Sequence, residues 1–68
     1  MLNLSDEQLK EFGFELDVWE ENLYRTEFDL WYNKQNFQFH WSVDYEHCDF
    51  NVETIEELKT LIKLLKNN

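Results

Sequence analysis

The chain of 68 residues contains no proline, a single glycine and a single cysteine. One glycine excludes the glycine-rich loops that cradle phosphates. One cysteine, Cys48, excludes an intrachain disulfide and fits a reducing compartment. Basic residues are scarce: six Lys and Arg stand against 15 Asp and Glu, for a net charge of −9. Such a chain is repelled by nucleic acid and anionic membrane and attracted to basic protein surfaces. No apolar run approaches the length of a membrane span, and the first residues lack the basic start and apolar core of a signal peptide. The expectation is one cytoplasmic domain, residues 1–68, with no membrane and no direct nucleic-acid partner.

Aromatic residues make up 18% of the chain. A domain this small needs disulfides, a metal, a partner subunit or dense apolar packing, and the aromatics offer the last. The acid is unevenly placed. Residues 1–53 hold 13 acids against Lys10, Arg25 and Lys34, a balance of −10, whereas residues 54–68 balance at +1. The aromatic content and patterning argue against disorder.

The centre of the chain, residues 23–52, alternates apolar and polar residues with period two. Tyr24, Thr26, Phe28, Leu30 and Tyr32 fall on one side, and Phe37, Phe39, Trp41 and Val43 answer them across a turn at Asn33–Asn36. This is a hairpin with one buried and one wet face. The pattern predicts a first strand over 14–19, although Leu9, Phe12, Leu16, Trp19 and Leu23 also recur at helical spacing. Gly13 interrupts that helix and favours the strand. A turn at Glu20–Asn22 then sets Val18 against Tyr24, Leu16 against Thr26 and Phe14 against Phe28, all inward, with Asp17 beside Arg25 outside. After the second turn, Tyr32 is expected opposite Phe37, Leu30 opposite Phe39 and Phe28 opposite Trp41. A turn around Tyr45 and Glu46 leads to a last strand over 47–52, with Cys48, Phe50 and Val52 inward.

Two helices flank these strands. Ser5 is an N-cap with Gln8 three residues on, Asp6 and Glu7 suit the first turn, and Gly13 supplies a left-handed stop. Thr54 and Glu57 form a second capping box. Beyond it Ile55, Leu58, Leu61, Ile62 and Leu65 make one stripe, while Glu56, Lys59, Lys63 and Lys66 face water. The expected fold is α+β: a short N-terminal helix, a four-stranded antiparallel β-meander and a C-terminal amphipathic helix packed on one sheet face.

No catalytic constellation emerges, and the chain is expected to be no enzyme and to need no cofactor. The alternation puts Cys48 on the face opposite His40 and His47, so it reads as a small core residue rather than a nucleophile. His40, His47, Asp49 and Asp44 could converge on the outer face. Structural zinc prefers thiolates and recognisable spacing, so these histidines read as solvated and no metal is assigned. The outer face carries Glu15, Asp17, Trp19, Leu23, Arg25, Glu27, Asp29, Trp31, Gln38, His40, Ser42, His47, Asp49 and Asn51. It reads either as a solvated sheet face or as a docking surface, with Trp19 and Trp31 as anchors among Glu15, Asp17, Glu27, Asp29 and Asp49.

Phe12 to Glu15, the aromatic hairpin and the capped segment Thr54 to Ile62 together resemble small acidic proteins carried by bacteriophages and mobile elements. That resemblance carries over no catalytic residues. Proteins of that kind are mostly of unknown function, but the small acidic ones are often inhibitors of host machinery. The resemblance thus implies an inhibitor such as an anti-restriction or anti-CRISPR protein that occupies a nucleic-acid site. The expectation is therefore a protein-binding module whose partner is a basic host protein. The alternative is a structural or assembly protein forming a homo-oligomer, such as a homodimer, through the sheet face or an edge strand.

Overall fold

The structure, a computed structural model, describes residues 2–43 and 46–67. Its elements run α1 (Asp6–Glu11), β1 (Glu15–Leu16), β2 (Leu23–Arg25), β3 (Leu30–Asn33), β4 (Gln38–Val43), β5 (Glu46–Phe50) and α2 (Ile55–Lys66). The strands form one open antiparallel sheet in chain order, β1-β2-β3-β4-β5. The α+β class and the meander hold, but among the described residues the strands number five rather than four.

Both helix starts follow from local chemistry. Ser5 Oγ accepts the Gln8 N–H at 3.2 Å and the Gln8 side chain accepts the Ser5 N–H at 3.0 Å, a complete capping box. The α1 stop is equally local. Gly13, at φ 89°, donates to Lys10 O (3.0 Å) and Phe14 donates to Leu9 O (2.9 Å), closing a Schellman turn whose apolar ends, Leu9 and Phe14, are both buried. At α2, Thr54 Oγ1 accepts the Glu57 N–H at 3.1 Å, but the Glu57 carboxylate accepts from Glu53 rather than from Thr54, so only half of the expected box forms.

The extra strand arises at Thr26. The sequence reads it as one inward residue of a long strand, and it is buried. Its hydroxyl, however, accepts the Leu30 N–H at 3.1 Å and donates to Leu30 O at 3.3 Å, while Asp29 N donates to Thr26 O. Asp29 takes the left-handed conformation at φ 64°, which aspartate tolerates better than most residues. The chain therefore folds back between β2 and β3 without changing which side chains face inward. Phe37 plays a similar part in the next turn. It was expected to open a strand, yet it adopts φ 60° and donates to Asn33 O at 2.7 Å. That conformation costs a bulky residue about 1–2 kcal/mol, offset by packing of the half-buried ring against the core.

These turns shift the pairing by two residues and preserve its parity. Leu30 lies opposite Trp41 and Tyr32 opposite Phe39, instead of Leu30 opposite Phe39. On the other side, Glu15 rather than Asp17 is the partner of Arg25, and Leu16 pairs with Tyr24 rather than Thr26. The expected first strand thus overruns the sheet. Leu16, Val18 and Trp19 are exposed, where Leu16 and Val18 were expected to be buried. Cys48 was expected in the core as well, but β5 is an edge strand and Cys48 is exposed. The expected turn around Tyr45 falls on residues 44–45, outside the described residues; Glu46 belongs to β5 and pairs with Val43.

The core is one apolar cluster joining α1, the inner sheet face and α2: Leu4, Leu9, Phe14, Leu30, Tyr32, Phe39, Val52, Leu58 and Leu65. Phe14, Tyr32 and Phe39 form its aromatic centre, with ring centroids 4.7–6.3 Å apart in edge and tilted contacts. The Tyr32 hydroxyl, fully buried, accepts the Leu4 N–H at 3.1 Å and donates to Leu2 O at 3.0 Å. One side chain thereby ties the N-terminal segment to the sheet.

Candidate functional site

Because every strand pairs with its neighbour in sequence, the registers line up a row across the whole outer face: Glu15, Arg25, Trp31, His40, Asp49. The row is built in layers of charge. Glu15 lies opposite Arg25, and the Arg25 guanidinium stands 5.2 Å from the Trp31 ring centroid, a cation–π contact. On the other side of Trp31, His40 Nδ1 lies 2.7 Å from Asp49 Oδ1. A carboxylate thus closes each end, and a half-buried indole occupies the middle.

Beside the row runs a shallow groove of about 550 Å³, lined by Leu23, Trp31, Asn33, Asn36, Gln38, His40, Ser42 and Asp49. The Asn33 and Asn36 side-chain oxygens accept backbone N–H groups of Gln35 and Gln38, which fixes the turn at one end of the groove. Trp31 and the amides of Asn33, Asn36 and Gln38 line it, with Asp49 its one acid.

Of the seven residues singled out from sequence, Glu15, Trp31 and Asp49 come together in the cross-sheet row. Glu27 and Asp29 stand in the β2–β3 turn, at one end of the sheet. Asp17 and Trp19 lie beyond β1, toward the other end, where the Asp17 N–H still bonds Leu23 O at 2.8 Å. Trp19 is therefore no sheet-face residue as its parity suggested. It projects from a loop and is 87% exposed. The expected neighbourhood of His40 and Asp49 is present, whereas that of Asp44 and His47 involves a residue outside the described ones.

Sequence reasoning missed two features. One is the contact of His40 with His47, whose rings stack at 5.3 Å with His40 Nε2 3.2 Å from His47 Nδ1. The alternation put both on one face, but their diagonal contact depends on the β4–β5 register. The other is an ion-pair cluster joining α1 to the sheet. Asp6 Oδ1 accepts from Lys34 Nζ at 2.8 Å and from the Tyr24 hydroxyl at 3.1 Å. The Lys34 hydrogen bond, with help from Tyr24, holds the Asp6 carboxyl below its ordinary range, and Asp6 in turn raises Lys34. Partial burial, followed by the bond to Asp6, raises Tyr24.

Among the described residues no group of three or more His, Cys, Asp or Glu is arranged to hold a metal ion. No helix among them is long and apolar enough to cross a membrane. Comparison with family models, curated proteins and solved structures gives no match to this chain.

Proposed function

We propose that this chain is a small acidic protein-binding module without catalytic activity, which docks a basic, nucleic-acid-binding host protein and inhibits it. The observation that carries the reading is the Trp19 indole. It stands 87% exposed in a loop with Asp17, Glu20 and Glu21, on a chain of net charge −9. A large exposed aromatic ringed by one sign of charge suits a partner of the opposite sign. Trp31, in the groove, is the second anchor. Glu15, Asp17, Glu27, Asp29 and Asp49 steer the encounter from the margins of the face. The anti-defence role is proposed on the sequence resemblance of Phe12 to Glu15, the aromatic hairpin and Thr54 to Ile62 alone.

The test is capture from host lysate with the wild-type chain and with Trp19→Ala/Trp31→Ala. A basic protein retained by wild type, displaced by added duplex DNA and lost from the double variant supports the reading. Truncation of an anchor should weaken binding by about 2 kcal/mol, roughly 30-fold. Equal retention by the double variant, or retention indifferent to DNA, refutes it.

A second reading rests on β5, an edge strand of five residues, four of them exposed. Antiparallel pairing with a second copy about Cys48 would set His47 opposite the other chain's Asp49, a self-complementary arrangement. A dimer in sedimentation, dispersed by a proline at Cys48, would favour this assembly role.

A further inference from the structure

The β4–β5 hairpin carries a cluster that the protein-binding reading leaves unused. Asp49 Oδ1 lies 2.7 Å from His40 Nδ1, and the two residues are direct cross-strand partners. A carboxylate only accepts, so His40 Nδ1–H donates to Asp49, and in the neutral tautomer this leaves the Nε2 lone pair facing His47. His47, the diagonal neighbour on β5, places Nδ1 3.2 Å from that Nε2. Two nitrogens at this separation, each ~2.0 Å from a shared ion, would subtend an angle of about 105° at it, close to the tetrahedral value.

We infer that His40 Nε2 and His47 Nδ1 form a two-histidine site for a transition-metal dication of the zinc and copper(II) class, with Asp49 positioning His40. In the metal-free protein His47 Nδ1–H donates to His40 Nε2. On metal binding that proton moves to His47 Nε2, so both ligand nitrogens present lone pairs and the neutral rings release no proton overall. Asp49 plays the part of the carboxylate that fixes the tautomer and basicity of a metal-binding imidazole. The cluster is open to solvent, with the His40 and Asp49 side chains 37% and 77% exposed, so an ion can enter and water can fill the remaining positions. With two protein ligands the site is open and favours copper(II) over zinc, as the general order of divalent affinities requires. The alternation already brings these side chains to one face; the lack of thiolates and of recognisable ligand spacing is what leaves the cluster without a metal when the sequence is read alone.

The test uses the full chain carrying Cys48→Ser, which removes the exposed thiol on the opposite side of β5 as a competing ligand. Zinc chloride is titrated by calorimetry while nitrogen resonances of the imidazoles are followed by NMR. One zinc per chain is expected, with shifts at His40 Nε2 and His47 Nδ1. Affinity should fall at least 10-fold in His40→Ala and in His47→Ala, and by about 10–100-fold in Asp49→Asn. In Asp49→Asn the His40 tautomer distribution should also broaden, which a merely structural role for Asp49 would not produce. Copper(II) should broaden the Trp31 indole signals, because Trp31 is the cross-strand partner of His40. Affinity unchanged in either histidine variant, shifts at other nitrogens, or no binding at millimolar zinc overturns the inference. Circular dichroism establishes that each variant is folded.

Discussion

Along β3 and β4 one backbone presents two unlike surfaces. Leu30, Tyr32 and Phe39 face α1 and α2 and are fully buried, while their sequence neighbours Trp31, Asn33, Gln38 and His40 face outward, half-exposed. The inner surface is a close-packed aromatic cluster that depends on shape. The outer one is a row of charges and rings held in place by strand register, with Glu15 opposite Arg25 and Asp49 bonded to His40. The difference teaches where each kind of information lies. Stability is concentrated on one face, so the other is free to carry a binding surface at little cost to the fold.

The most severe way to break this comparison is Phe39→Ala, which empties the aromatic centre. It should cost about 3–5 kcal/mol in urea unfolding, whereas Trp31→Ala on the opposite face of the neighbouring strand should cost far less. Equal losses would show that the outer row is structural. Tyr32→Phe is next. It leaves the Leu4 N–H without its buried acceptor and should cost about 1–3 kcal/mol, seen as early loss of amide protection at Leu4. Thr26→Val removes the acceptor of the Leu30 N–H and should cost about 1–2 kcal/mol, with chemical-shift changes centred on the β2–β3 turn. Trp19→Ala should stay within about 0.5 kcal/mol of wild type, which sharpens the contrast by separating an exposed anchor from a core aromatic.

The smallest effect concerns pH. The Asp6 carboxyl titrates below its unfolded value, so its contribution is present above that value of 3.8 and is lost as pH falls through the lower folded one. Lys34, raised above its ordinary value, contributes below 10.5 and loses that contribution as the medium becomes more alkaline. Asp6→Asn should therefore flatten the acid limb of the stability profile slightly, and also shift the alkaline limb through Lys34 and Tyr24. Asp6 is exposed and Lys34 only half-buried, so the change belongs to titration by NMR rather than to melting curves.

Much of this architecture was legible because period-two and helical patterns survive small errors of register. Inward residues from Tyr24 to Phe39 were identified correctly even though the pairings shifted by two, since such a shift leaves each side chain on its own face. The two helix starts and the Gly13 stop were legible because they are closed by neighbours within the same few residues. The break at Thr26 was not, because threonine suits a strand and the signal lay in a hydroxyl bridging to Leu30 and in the left-handed Asp29. Phe37 misled in the same way: its conformation is imposed by the turn against its own preference. For the outer face, composition named the acids and the tryptophans. It could not tell that Trp19 lies beyond the end of β1 or that His40 touches His47, because both facts depend on pairing partners distant in sequence.

The hydroxyl of Tyr32 has a further consequence, for the order of assembly. Every strand is hydrogen-bonded to its immediate predecessor or successor, so the sheet can be built as a series of hairpins, each closing a short loop at small entropic cost. The bonds to Leu2 and Leu4 instead span 30 and 28 residues. They can form only once β3 is in place to offer the phenol. The N-terminal segment therefore acts as a late latch on a sheet assembled locally. Loosening it should speed unfolding while leaving the rate of folding nearly unchanged.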